Sequence, residues 1–206
     1  MRNTPHFLLS EVAEVKRLIQ EYPWATFVSS TAAGIVASHY PVVLEETDDE
    51  TISLVSHFGR PDEDAHELGR HEAMVIIQGP HGYISPSWYP DGQFIPTWNH
   101  VTAHLWGTPE ILSDEENFEV LDQLVDHFED RMPDPRSLSI DEATARRVAR
   151  GTVGLRLRVT RFDARAKLSQ NKPAEVVAEV IERLDAGREY GNPELAAEMR
   201  RVVSDR

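Results

Sequence analysis

The run ATFVSSTAAGIVASHYPVVLEETDDETISLVSHF, residues 25–58, decides the fold class of this chain. It contains three β-rich stretches, ATFVSS (25–30), IVASHYPVVLE (35–45) and TISLVSHF (51–58), separated by TAAG and by the acidic ETDDE. Short polar connections between such stretches are typical of neighbouring antiparallel strands. This part of the chain is therefore predicted to be a β-meander.

Outside this run the pattern alternates between further strands and amphipathic helices. The predicted strands are AMVIIQG (73–79), HVTAHLWG (100–107) and GLRLRVTRF (154–162). Helices are predicted to begin after Ser10, Ser113, Ser139, Pro173 and Asn192, and Ser113 with Glu116 and Ser139 with Glu142 have capping-box spacing. Antiparallel strands with segregated helices indicate an α+β domain or a barrel with helical additions. We predict a single domain over residues 1–206, with 173–206 as a C-terminal helical extension.

Composition and charge exclude several classes of protein. The formal net charge of -14 argues against direct DNA binding, because phosphate neutralisation needs a clustered basic surface. The absence of cysteine excludes disulfides, thiolate zinc sites and a cysteine nucleophile. No stretch approaches the roughly 20 apolar residues that span a bilayer, and charge appears within the first helix. We therefore expect a cytoplasmic protein that does not associate with membranes.

The segment PHGYISPSWYPDGQFIPTWN (80–99) differs from the rest of the chain in carrying four prolines, two tryptophans and two tyrosines. It is predicted to be irregular, and an aromatic loop of this length is typically functional. Its aromatic side chains form either a hydrophobic patch or the walls of a site for a planar cofactor. Ser85 adds a hydroxyl donor without adding charge.

A second candidate segment is KLSQNK (167–172), which joins the last strand to the following helix. Two ammonium groups, a hydroxyl and two amides at a helix N-terminus suit an anionic group such as a phosphate or a propionate. The alternative interpretation is an ordinary helix cap with solvated lysines.

Histidines raise the question of a metal site, since the chain has nine of them. There is no HExxH pattern and no Cys/His framework, so no metal is expected apart from that of a cofactor. His57 stands out because it follows the strand TISLVS, where a side chain can face a cleft. It is either bonded to backbone or in contact with a cofactor, as a flavin hydrogen-bond donor or an axial haem ligand.

Three segments together resemble the PaiB family, often described as FMN-binding negative transcriptional regulators. They are GPHGYISPSWY (79–89), PTWNHVTAHLWG (96–107) and KLSQNK (167–172), and the similarity extends from PHFLLSE through SHFGR (56–60) to the helix after residue 172. The resemblance implies an FMN-binding split β-barrel with peripheral helices. It also implies a homodimer whose cofactor sites lie at or near the subunit interface.

The resemblance implies an FMN-binding transcriptional regulator or a flavin-dependent oxidoreductase acting on a small molecule. The implied cofactor contacts are His57, Arg60, Ser85, Trp88, Trp98, Lys167, Ser169, Gln170 and Lys172. The chain departs from the family pattern after His57, where GRPDEDAHEL replaces a basic, Asn-containing stretch. The acidic Asp62, Glu63 and Asp64 would repel a nearby phosphate.

The alternative comes from the piperazate synthases, which resemble PaiB proteins but use haem to form a nitrogen–nitrogen bond in N5-hydroxyornithine. In that case the cofactor is haem b, His57 is the axial ligand, and Lys167 or Lys172 serves a propionate or a proton transfer. A third reading is a protein that has kept the fold for interaction or detoxification without tight cofactor binding.

Overall fold

The computed structural model describes residues 4–48, 50–90 and 95–204. The strands are β1 (Trp24–Thr31), β2 (Gly34–Leu44), β3 (Ser53–Gly59), β4 (Ala73–Ile84), β5 (Thr97–Gly107), β6 (Glu110–Ile111), β7 (Thr152–Arg158) and β8 (Arg161–Lys167). The helices are α1 (Val12–Glu21), α2 (Asp62–Ala65), α3 (Asp114–Glu129), α4 (Glu142–Ala149), α5 (Ala174–Asp185) and α6 (Pro193–Ser204). Among these residues, no helix combines the length and the apolar character that crossing a membrane requires.

The strands are hydrogen-bonded in the order β6-β7-β3-β2-β1-β4-β5-β8. The chain forms two compact units. The first unit comprises the residues up to Ser10, Gln78–Ala103 and those from Asp163 onward, and the second comprises Glu11–Ile77 and His104–Phe162. The predicted meander is confirmed: β1 pairs antiparallel with β2, and β2 with β3.

The second unit has an aromatic core on its meander. Phe27 of β1 meets Phe58 of β3 edge to face at 5.0 Å between ring centroids, and Tyr40 of β2 stacks on Phe58 at 4.5 Å. Alternation along β1 directs Ala25 and Phe27 inward, and both are almost completely buried. The apolar residues that alternate along the sequence therefore lie on the buried face of the strands.

Helix α3 covers β3 and β7 within the same unit. Its Val120 and Leu124 belong to a buried cluster with Val55 of β3. A Cβ at Gly154 of β7 would lie 2.9 Å from Asn117 Cα, so glycine permits the close approach of the helix. The Ser113–Glu116 capping box at the start of α3 is confirmed.

The first unit buries the apolar sides of α5 and α6. Val180, Leu184, Leu195 and Met199 are fully buried. Gly82 of β4 lies against Leu195, because a Cβ at this glycine would be 3.1 Å from the Leu195 side chain. The helices after residue 173 therefore pack as part of the first unit.

Three predictions about individual elements were wrong. Residues 80–84 extend β4 and 97–99 begin β5, so the irregular segment is shorter than predicted, and residues 91–94 lie outside the described residues. The predicted strand 154–162 is two strands, β7 and β8, because the chain turns at 159–160. Asp141, which accepts a bond from Thr144 N, caps α4 in place of Ser139.

Candidate functional site

The structure divides the predicted cofactor contacts between the two units. Seven of the nine lie in the first unit, whereas His57 and Arg60 lie in the second.

In the first unit the turn 167–172, called here the lysine turn, is built by its own polar side chains. Gln170 Oε1 accepts a bond from Leu168 N at 2.7 Å, and Gln170 Nε2 donates to Ala166 O at 2.5 Å. Ser169 is buried with a φ of 62°, and its Oγ lies 2.9 Å from Nδ2 of the buried Asn99. These bonds fix the shape of the turn and hence the positions of its two lysines.

Lys167 begins the turn at the end of β8. Its Nζ donates to Thr97 Oγ1 and, at 3.2 Å, to the carbonyl oxygen of Trp98. Partial burial lowers the pKa of Lys167, since a low-dielectric environment disfavours its charged form. The ammonium group is thereby attached to the start of β5.

Lys172 ends the turn and reaches residues 80–99, called here the aromatic segment. Its Nζ lies 5.3 Å from the ring centroid of Tyr89, a cation–π distance. Tyr89 is largely buried, and burial raises the pKa of its hydroxyl. The lysine turn and the aromatic segment therefore come together within the first unit, as a shared cofactor site requires.

Trp98 is an exposed aromatic residue beside Lys167, with 52% of its surface accessible. Its Nε1 donates to His81 Nδ1 at 3.2 Å. His100 follows on the same face of β5, and its pKa is lowered by burial and then by the charge of Lys167. Sequence reasoning missed His81, Asn99 and His100, although the alternation in TWNHVTAH places Trp98 and His100 on one face.

Ser85 and Trp88 lie in a different setting. Ser85 Oγ accepts a bond from Ser87 N at 3.2 Å and so caps the 3₁₀ turn Pro86–Trp88. Both residues line a cavity of about 640 Å³ together with Glu179, Glu182, Arg183, Ala186, Arg188, Glu189 and Tyr190. Because carboxylates accompany the guanidinium groups, this cavity suits a phosphate less well than the lysine turn does.

In the second unit His57 lines a groove of about 780 Å³. The groove is mainly apolar, and its walls come from α3, α4 and the residues between them, including Leu121, Val125, Phe128, Leu138, Ile140 and Val148, with Arg136 also in the lining. His57 Nδ1 is buried with no hydrogen-bond partner among the described residues. Burial lowers the pKa of His57, which favours the neutral, ligating form of the imidazole.

Arg60 and the acidic residues after it bond to one another and to the meander. The exposed Arg60 NH1 contacts Glu63 Oε1 at 2.6 Å. Asp62 Oδ2 accepts bonds from Ser38 at 2.8 Å and Tyr40 at 2.9 Å, and these bonds lower the pKa of Asp62. Two of the three acids that would repel a phosphate are therefore already engaged within the second unit.

The two units offer different chemical groups to a cofactor. The first unit offers an exposed indole and two ammonium groups, which suit the ring and the phosphate of a flavin. The second unit offers the imidazole of His57 in the lining of an apolar groove, a setting that would suit a porphyrin.

Comparisons with known proteins identify related sequences. Residues 1–161 match the family described as "Putative FMN-binding domain", a match that ends before the lysine turn. The chain is 29% identical over 199 residues to "Protease synthase and sporulation protein PAI 2" of Bacillus subtilis, covering 94% of this chain and 93% of that protein. It is 33% identical over 108 residues to an uncharacterised protein of Saccharomyces cerevisiae, covering 49% and 64% of the two chains.

Solved structures share the fold at low sequence identity. A FAD and haem binding protein from Mycobacterium smegmatis is 20% identical with a TM-score of 0.57, covering 81% of this chain and 76% of that one. A flavocytochrome from Azotobacter vinelandii is 12% identical with a TM-score of 0.59, covering 86% and 78%. The predicted α+β split β-barrel is thereby confirmed. With most of its length matched by the family model, this chain belongs to the family described as "Putative FMN-binding domain", in agreement with its resemblance to PaiB proteins.

Proposed function

We propose that this protein is a flavin-dependent oxidoreductase that binds FMN in its first unit and acts on a small molecule. The observation that carries the proposal is the meeting of the lysine turn with the aromatic segment, where Lys172 Nζ lies 5.3 Å from the Tyr89 ring. Membership of a family named for FMN binding supports the choice of flavin.

Five of the seven predicted contacts in the first unit have a role in this proposal. Lys167 and Lys172 hold the phosphate, and Trp98 offers its exposed face to the ring. Ser169 and Gln170 act through the turn, because their side chains fix its backbone. Bound FMN supplies one- and two-electron redox chemistry.

A regulatory role is compatible with this proposal if it is indirect. The Bacillus subtilis relative is named for protease synthesis and sporulation. A net charge of -14 disfavours direct binding to DNA. Any regulation would therefore act by way of a metabolite or a partner protein. We infer a cytoplasmic homodimer, as the family resemblance implies.

The lysines provide the test of the flavin proposal. Purified protein is titrated with FMN and with riboflavin, which lacks the phosphate. In the double variant Lys167→Ala/Lys172→Ala, loss of charge-assisted bonds should weaken FMN binding by about 1 to 3 kcal/mol. Riboflavin binding should fall less than FMN binding, because riboflavin lacks the phosphate that the two ammonium groups would hold.

The chain offers one matched control. It has three lysines, and the third, Lys16, lies on α1 in the second unit. Lys16→Ala should leave FMN affinity unchanged. Unaltered FMN affinity in the double variant would remove the lysine turn as the phosphate site, and a wild-type protein that binds neither flavin would end the proposal.

A second candidate function is a haem enzyme of the piperazate synthase type, and the place of His57 in the lining of the apolar groove favours it. Here His57 would ligate the iron, and Arg136 in the groove lining would suit a propionate. Hemin added to the protein should give a shifted Soret band that His57→Ala abolishes. An identical titration in the variant would exclude His57 as the ligand.

A further inference from the structure

His81 and Trp98 are joined edge to edge in the first unit. Their ring planes are 24° apart with centroids separated by 5.9 Å, and Trp98 Nε1 donates to His81 Nδ1 at 3.2 Å. The indole N–H and the imidazole lone pair both lie in their ring planes. A bond between them therefore places the rings side by side, so the two form one extended, nearly flat surface.

Several contacts hold this surface in place. Because His81 Nδ1 accepts the indole bond, the proton of the neutral imidazole is on Nε2. Asn192 Nδ2 donates to the His81 carbonyl at 3.0 Å, and Lys167 Nζ donates to the Trp98 carbonyl. Both rings stand on strands, β4 and β5, which orient side chains more rigidly than loops do.

Positive charge lies beside the flat surface. Lys167 Nζ has uncharged partners in Thr97 Oγ1 and the Trp98 carbonyl, so these bonds leave its charge uncompensated. His100 lies on the same face of β5 as Trp98, and its pKa is lowered by burial and then by the charge of Lys167. The surroundings of the surface therefore favour an anionic ligand.

We propose that His81 and Trp98 form a single stacking platform for the fused rings of the flavin, with Lys167 and His100 facing the anionic part of the same ligand. The proposal rests on the proposed function and adds a basis for specificity. A three-ring system spans both side chains, whereas a single-ring cofactor covers one of them. His81 contributes to binding both as a surface and as the group that orients Trp98.

A double-mutant cycle tests the platform with riboflavin as the probe. Trp98→Leu and His81→Leu should each raise the riboflavin dissociation constant about tenfold, the effect of losing one stacking surface. If the rings act as one platform, the double variant should also lose about tenfold rather than a hundredfold, because each ring depends on the other. Thermal melting verifies that each variant folds.

Trp24→Leu is the matched control, since Trp24 is 64% exposed and belongs to β1 of the second unit. It should leave riboflavin affinity unchanged. Additive effects, or unchanged affinity in the two platform variants, would overturn the platform. If FMN still binds and still depends on Lys167 and Lys172, the proposed function survives that result. A wild-type protein that binds neither riboflavin nor FMN would overturn both.

Discussion

At the scale of single residues, His66 shows how a buried polar group is satisfied in the second unit. It is 2% exposed, with Nδ1 at 2.8 Å from Ser29 Oγ and Nε2 at 3.0 Å from Ser38 Oγ. Ser38 donates its own proton to Asp62 Oδ2, so Nε2 donates to Ser38, and in the neutral imidazole Nδ1 then accepts from Ser29. Burial lowers the pKa of His66 and so favours this neutral form.

This arrangement predicts a pH-dependent stability. Burial lowers the pKa of His66, so the unfolded chain binds its proton more readily than the folded one. Its contribution to the free energy of unfolding is thus present above the ordinary histidine pKa of about 6.5 and is lost as the pH falls below it. The free energy of unfolding, measured in urea between about pH 8 and pH 5, should change less steeply with pH in His66→Gln than in wild type. His71→Gln, at an exposed histidine, controls for loss of one imidazole, and equal slopes in wild type and His66→Gln would contradict the assignment.

At the scale of elements, local sequence signals predicted the structure correctly where all the interacting residues are close together in the chain. The Ser113–Glu116 capping box of α3 needs only residues three positions apart, and it forms. At α4 the same spacing was misleading. Ser137 caps the 3₁₀ turn Leu138–Asp141, and Asp141 then caps the helix. The length of β4 depended on its neighbours: proline and glycine in PHGYI suggest a loop, yet the strand continues to Ile84 in the hydrogen-bonded sheet.

At the scale of the whole molecule, the family resemblance predicts a homodimer. Large apolar side chains remain on the surface of the isolated chain, among them Ile35 at 80%, Ile140 at 70% and Val148 at 65% exposure. A stable dimer would cover a surface of at least about 1,200 Å². Light scattering at micromolar concentration should therefore give twice the chain mass of 23.3 kDa. A monomer with full FMN occupancy would contradict cofactor sites shared between subunits.

The sequence by itself determined the β-meander, the principal helices, the family and the two segments that approach each other in the first unit. Periodicity and capping are local, so they can be recognised in the linear order of residues. Only the tertiary structure decided that Ser169 and Gln170 build the turn, that His81 joins Trp98, and that His57 lies in an apolar groove. These facts depend on contacts between residues far apart in the sequence, such as Asn99 with Ser169, which are 70 positions apart. Strand pairing and helix packing bring such residues together.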